Sequence, residues 1–130
     1  MTADPLVVLH AYLTGLPETA GIAVSASMLD KQKGAPAVIL DGTGGYRVIR
    51  HRLDRADITV NTYHRSMREA SDLAYSLRER LLNELPGTVA GGGQVLDVSE
   101  IHSPFHLPDL DSGEYRYVGA IALFFTTSHA

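Results

Sequence analysis

The most constraining feature of the sequence is a change of apolar period between residues 56 and 85. Over residues 56–63, apolar residues such as Ile58 and Val60 alternate with polar ones, as in a strand with one dry face. The apolar residues that follow recur every three or four positions, which is the period of an amphipathic helix. The chain is therefore expected to pack this helix against a sheet that contains this strand.

Capping residues mark two helix starts. Asp4 followed by Pro5 supplies a side-chain acceptor and a fixed φ, which predicts a first helix over about 5–14. Ser66 and Glu69 form a capping box, so a second helix begins there. It should run for roughly nineteen residues, until the Pro-Gly pair that follows Leu85.

Several further segments have strand-like patterns. They are expected at about 21–28, 35–41, 46–51, 94–101 and 114–128. Glycine-rich turns at 41–47 and 90–94 and a loop at 102–114 separate them. The sequence thus predicts a single α+β domain over residues 1–130. Its sheet has about five strands, antiparallel or mixed, with the long second helix across one face and the first helix beside it.

The last strand is apolar on both faces. One face carries Tyr115, Tyr117, Ile121, Leu123 and Phe125, and the other carries Val118, Ala120, Ala122 and Phe124. Such a strand is either central in the sheet with both sides covered or buried in an oligomer.

The composition excludes several classes of function. None of the 130 residues is cysteine, which excludes disulfides, a thiol nucleophile and thiolate metal sites. The net charge of −4 disfavours sequence-independent binding of nucleic acid, because phosphate binding uses clustered Lys and Arg. The acidic amino terminus and the absence of any long apolar stretch indicate a protein made in the cytoplasm, without a membrane segment.

One basic cluster contrasts with the negative net charge of the chain. Four arginines lie within nine positions: Arg47, Arg50, Arg52 and Arg55. They could form a solvated hairpin face or a docking patch for an acidic partner.

Two glycine clusters, at 42–45 and 91–93, could suggest phosphate-binding loops. That chemistry needs a helix directly after the loop, so that its first amides point at the anion. No helix is predicted after either cluster, and turns are the favoured interpretation.

A metal site could be sought in the loop at 102–114, which contains His102, His106, Asp109 and Asp111. Two histidines four positions apart converge on a metal when they share a helix face, and Pro104 between them removes that helix. An ordinary loop is the favoured interpretation, and neither a metal nor a cofactor is predicted.

The corner between the alternating strand and the second helix gathers Tyr63, His64, Arg65 and Ser66. Together with Asp57 they could supply acid–base or nucleophilic chemistry. Ser66 is already used as a capping acceptor, however, and no motif places a base beside a nucleophile. We interpret this corner as a structural joint.

In its order of elements the chain resembles the tail terminator proteins, also called tail completion or neck proteins, of long-tailed bacteriophages. The resemblance covers nearly the full chain and rests on three patterns. These are the P-A-V strand with the glycine pair after it, the strand DITVNTY leading into the helix EASDLAYSLRERLL, and the terminal R-Y-V strand. One departure is that bulky His64 follows Tyr63, where the family often has a small residue.

The resemblance implies a structural protein of the virion, with no catalytic role. Such proteins form a ring, usually a hexamer, that caps the finished tail tube and joins it to the head connector. The implied partners are further copies of the chain, the tail tube protein and the head–tail connector protein. Genome DNA would pass through the bore without specific binding, which suits the negative net charge.

Ring closure requires heterologous contacts between two unlike surfaces. We expect one on the last strand, with Tyr115 and Tyr117, and the other on an exposed row along the alternating strand. That row consists of Thr59, Asn61 and Tyr63. The arginine cluster would then contact the tube or the connector, because charge complementarity sets register.

Two alternatives stay open at this point. The first is another neck component, a head-closure or connector protein that engages the portal side. The second is a small metal-dependent hydrolase built on His102, His106, Asp109 and Asp111.

Overall fold

The computed structural model describes residues 3–29, 31–50 and 52–127, which form one sheet with two helices on one of its faces. The elements in chain order are α1 (Pro5–Thr14), β1 (Ala23–Ser25), β2 (Ala37–Ile49), β3 (Leu53–His64), α2 (Met67–Asn83), β4 (Val89–Ala90), β5 (Gly93–His106) and β6 (Tyr115–Thr127). The strand order across the sheet is β1-β2-β3-β6-β5-β4. β1 runs parallel to β2 and the other neighbours are antiparallel, so the sheet is mixed. The described strands number six rather than about five. The strands expected at 35–41 and 46–51 are a single strand, β2, and the short edge strand β4 was not expected.

Both predicted helix starts are confirmed. The Asp4 side chain accepts a 2.9 Å hydrogen bond from the amide of Leu6, and α1 has the predicted bounds. Ser66 Oγ accepts a 3.1 Å hydrogen bond from the amide of Glu69. α2 has 17 residues and is shorter than predicted. It ends early because the amide of Leu85 already bonds to the carbonyl of Arg80, five residues back.

The glycine-rich segment at 41–47 is not the predicted turn. β2 runs through it without interruption as far as Ile49, and β3 begins at Leu53; between them the amide of Arg52 donates to the carbonyl of Ile49. Gly44 and Gly45 have φ of 140° and 141°, values that an L side chain rarely adopts. A register shift lies between Gly42 and Gly44. The glycines therefore form a bulge in a long strand.

β5 also extends further than predicted, because it includes residues 102–106 of the expected loop. Pro104 is tolerated because β5 is irregular here, with register shifts on both sides of His102. Pro104 packs directly on Gly119, where an added Cβ would lie 3.2 Å from its Cγ.

The core lies between the sheet and the two helices. α2 contacts β3, β5 and β6, and α1 contacts β1, β2 and β4. The main buried cluster is formed by Val8, Leu9, Leu13, Val38, Leu40, Ala56, Ile58, Val60, Leu73, Leu77, Leu81, Leu85, Val95, Val98, Ile121, Leu123 and Phe125. β6 is central, between β3 and β5, and Val118, Ala120 and Ala122 on its other face are buried within the single chain, which favours the first of the two alternatives for this doubly apolar strand. We call the face that carries neither helix the outer face.

Candidate interaction surfaces

The hairpin between β2 and β3 carries the arginine cluster at its tip and sides. Arg47 pairs with Asp54, and Arg55 pairs with Asp57 at 2.8 Å. Arg50 and Arg52 lie at the turn and are exposed. The four cations are opposed by two carboxylates, so the hairpin is a basic surface on an acidic protein.

Apolar side chains accompany these charges. Tyr46, Val48 and Ile49 are 60%, 41% and 49% exposed. The guanidinium of Arg55 lies 5.5 Å from the centre of the Tyr46 ring, which is cation–π geometry. β1 pairs only with Ala37–Ile39, and no other described strand covers the outer edge of β2 beyond them. The hairpin thus combines positive charge, apolar area and unpaired backbone.

The opposite edge of the sheet is formed by β5. β4 pairs only with Gly93 and Gln94, and the loop before it bonds to Val95. From Leu96 onward, no described strand lies beside the outer edge of β5. Exposed apolar residues follow this edge: Leu96, Ile101 and Phe105. Asp97 accompanies them as an exposed carboxylate, whereas Glu100 is half-buried and paired with Arg78. The sequence predicts the strand at 94–101 but not its place at an open edge of the sheet, because tertiary contacts decide the order of the strands; residues 102–106 are expected there in a loop.

The predicted exposed row on β3 is largely buried. Thr59 is half-buried, but Asn61 and Tyr63 are only 6% and 2% exposed, so the prediction of their exposure is wrong. The Nδ2 of Asn61 donates to the carbonyl of Ile39 at 3.1 Å and to Asp41 at 2.8 Å. These side chains are buried because the loop from 107 to 114, which is distant in sequence, covers this end of the outer face.

Tyr63 lies at the centre of that covered region. Its hydroxyl donates a 2.9 Å hydrogen bond to Asp109, and the Lys31 ammonium lies 4.7 Å from its ring centre. Burial, followed by this bond to a carboxylate, raises the pKa of Tyr63. The same hydrogen bond is the main reason why the pKa of Asp109 is below its usual value.

An ion pair between Lys31 and Glu114 joins the loop between β1 and β2 to the loop between β5 and β6. Their ion pair is almost fully buried, with side chains 2% and 10% exposed. Burial alone would raise the pKa of Glu114, but hydrogen bonds from Lys31 and from the Gly34 amide hold it below its usual value. The pair therefore closes this end of the outer face.

The two tyrosines predicted as interface residues on β6 differ in accessibility. Tyr115 is 45% exposed, whereas Tyr117 is 9% exposed beneath α2. Tyr117 packs with Ala70 and Ala74, and its ring lies edge-on to Tyr75 with 6.5 Å between the ring centres. Tyr117 is thus a core residue of the isolated chain.

The four candidate metal ligands do not converge. His102 packs on Phe105, and His106 packs between Tyr115 and Tyr117. Asp109 instead accepts hydrogen bonds from the amides of Asp111 and Ser112 and so shapes a turn. Across residues 3–29, 31–50 and 52–127, no group of three His, Asp or Glu side chains is placed to hold a metal ion.

The strand–helix corner has the geometry of a joint. Ser66 caps α2, and His64 Nδ1 accepts a 2.9 Å hydrogen bond from the amide of Arg65. Asp57 is paired with Arg55 at the other end of β3. The corner therefore brings no carboxylate from β3 to the histidine, whose Nδ1 instead lies 2.9 Å from Oε2 of Glu69 in the first turn of α2.

A narrow cleft lies between α2 and the sheet. Its walls are apolar, and its polar rim consists of Arg78, Glu100 and His102. Arg78 and Glu100 are bonded to each other, with Nη2 and Oε1 3.1 Å apart, and this bond lowers the pKa of Glu100. The acidic group at the rim is thus ionised and engaged by a cation.

The fold has a counterpart among solved structures. A chain in the structure entitled "Virion of native gene transfer agent (GTA) particle" matches with a TM-score of 0.69 and 12% sequence identity, over 95% of both chains. At this identity the likeness shows a shared fold. No family model and no curated protein matches the sequence. None of the described helices is long and apolar enough to cross a membrane.

Proposed function

We propose that the chain is a structural virion protein that acts as a tail terminator. Copies assemble into a ring, a hexamer in the simplest case, that caps the tail tube and joins it to the head connector. The observation that carries this proposal is the pair of unlike exposed surfaces on opposite edges of one sheet: the basic hairpin of β2–β3 and the apolar edge of β5, which also carries Asp97.

Two unlike surfaces on opposite sides of a subunit suit head-to-tail association. A contact of this kind repeats from copy to copy and closes into a ring when the rotation permits. The shared fold with a chain of a gene transfer agent virion supports a place in a virion particle. The location that follows is the head-proximal end of the tail, after synthesis in the host cytoplasm.

The charges support the same assignment. Arg50 and Arg52 at the hairpin tip are positioned to contact an acidic surface on the tube or the connector, where charged groups set register and speed association. The net charge of −4 suits a bore through which DNA slides, because its phosphates are repelled rather than held.

The ring is tested by measuring mass in solution over a wide range of concentrations, with and without purified tail tubes. We expect a closed oligomer, formed alone or on the tube end, and an arrest of tube growth. A monomer under every condition, with no effect on the tubes, would contradict the proposal. Binding to portal complexes instead of tubes would favour the head-closure alternative.

A further inference from the structure

Each of the two unpaired edges contains one regular four-residue segment between bulges. On β2 the ladder with β3 is regular over residues 44–47, between register shifts at Gly42/Gly44 and Arg47/Ile49. On β5 the ladder with β6 is regular over residues 97–100, between shifts at Val95/Asp97 and Glu100/His102. Bulges prevent indiscriminate edge pairing. These segments are therefore the parts of each edge that are suited to accept another strand.

The two segments lie at the same level of the sheet. One row of paired residues crosses the whole sheet: Tyr46 pairs with Arg55, Arg55 with Phe124, and Phe124 with Asp97. A second row pairs Gly44 with Asp57, Asp57 with Ala122, and Ala122 with Ser99. A rotation about an axis parallel to the strands brings β2 of one copy beside β5 of the next without a shift along the strands.

Strand direction is also compatible. β2, β3, β6 and β5 alternate in direction across the sheet, so β2 and β5 run in opposite directions. A rotation about an axis parallel to the strands preserves direction, and β2 therefore meets the neighbouring β5 antiparallel. Antiparallel pairing is the commoner and slightly more stable arrangement.

We propose that the copies of the ring join by pairing residues 44–46 of one copy with residues 97–99 of the next, so that their sheets become continuous. This inference rests on the proposed ring and specifies its subunit contact. The occupant of each edge is a second copy of the same chain.

The side chains favour this pairing. Tyr46 and Asp97 both lie on the outer face, as directly paired residues must. The hydroxyl of Tyr46 is 3.5 Å from Arg55 Nη1, so pairing brings the Asp97 carboxylate towards a cation and a phenol. The exposed Val48 and Ile49 continue along the hairpin beside the pairing segment. Charge is thus complementary across the contact.

The absence of cysteine from the sequence permits a direct test by disulfide trapping. Cα atoms of paired antiparallel residues lie about 4.5–5.5 Å apart, which is within the range that a disulfide spans. Tyr46→Cys is combined with Asp97→Cys in one variant. Gly44→Cys is combined with Ser99→Cys in a second, which keeps Tyr46 and the carboxylate, and an added Cβ at position 44 meets no atom within 4 Å. The control combines Tyr46→Cys with Asp72→Cys, an exposed position on α2.

After oxidation on tail tubes or alone, we expect both edge variants to form a ladder of covalent oligomers that ends at the mass of the ring. The control should not pass the dimer. Rings without this ladder, or an equal ladder in the control, would overturn the edge pairing and leave the ring intact. Monomers under all conditions, wild type included, would overturn the ring and the pairing with it.

Discussion

The hydroxyl of Tyr63 and the carboxylate of Asp109 are joined by a 2.9 Å hydrogen bond across 46 positions of the chain. The bond connects the end of β3 to the loop between β5 and β6. It makes Tyr63, an apparent surface residue by alternation, part of a buried network with Lys31 and Arg116. The covered end of the outer face depends on this network.

Tyr63→Phe should lower the free energy of unfolding at neutral pH by about 1–3 kcal/mol, because the Asp109 carboxylate loses a partner while its surroundings stay the same. Urea denaturation measures the loss. Tyr115→Phe is the matched control, since Tyr115 is 45% exposed and the change should stay within about 0.5 kcal/mol. Equal effects of the two substitutions would contradict the assigned role.

The difference between wild type and Tyr63→Phe should shrink in acid. Because the folded pKa of Asp109 lies below its usual value, its contribution to stability is complete above that usual value and is lost as the pH falls through the folded pKa. Urea denaturation of both proteins between pH 7 and about pH 3 follows this loss. A difference that stays constant over this range would assign the effect of the hydroxyl to packing.

Glu114→Gln should destabilise the fold by about 3–5 kcal/mol, because it leaves the Lys31 ammonium buried without its counter-charge. Replacing both partners, as Lys31→Met with Glu114→Leu, should recover most of the loss. The exposed pair Arg68–Asp72, at 3.9 Å, provides the control. Asp72→Asn should change the unfolding free energy by less than about 1 kcal/mol in the same denaturation experiment.

Gly45→Ala should destabilise the β2–β3 hairpin. An added Cβ would lie 2.1 Å from the carbonyl oxygen of Arg55, and φ is 141°, so we expect a cost of at least about 1–3 kcal/mol from strain and strand separation. Gly42→Ala in the same strand meets only an ordinary 3.8 Å contact with Leu6 and should be nearly neutral. Thermal unfolding compares the two, and a similar melting temperature for both would refute the close approach.

Reversing the charges at the hairpin tip, as Arg50→Glu with Arg52→Glu, should abolish or strongly weaken capping of tail tubes. Both residues are exposed, so stability should change by less than about 0.5 kcal/mol. Co-sedimentation with tubes at low and high salt measures binding, which should weaken with salt in the wild type. Arg68→Glu on α2 is the control, and equal capping by the hairpin variant would exclude these arginines from the contact.

Local signals in the sequence determined where the helices start and which way the strand side chains alternate. Asp4 and Ser66 act as caps within three residues of their own positions, so no distant contact is needed to place them. The alternation along β3 and β6 likewise follows from chain geometry alone.

Only the tertiary structure decided which of the alternating side chains are accessible and where the glycines belong. Asn61, Tyr63 and Tyr117 are covered by segments distant in sequence, and alternation identifies a face without saying what packs on it. Gly44 and Gly45 suit a turn and a bulge equally by their own flexibility. The long ladder between β2 and β3 selected the bulge, because only pairing along the whole strand satisfies the backbone hydrogen bonds on that side.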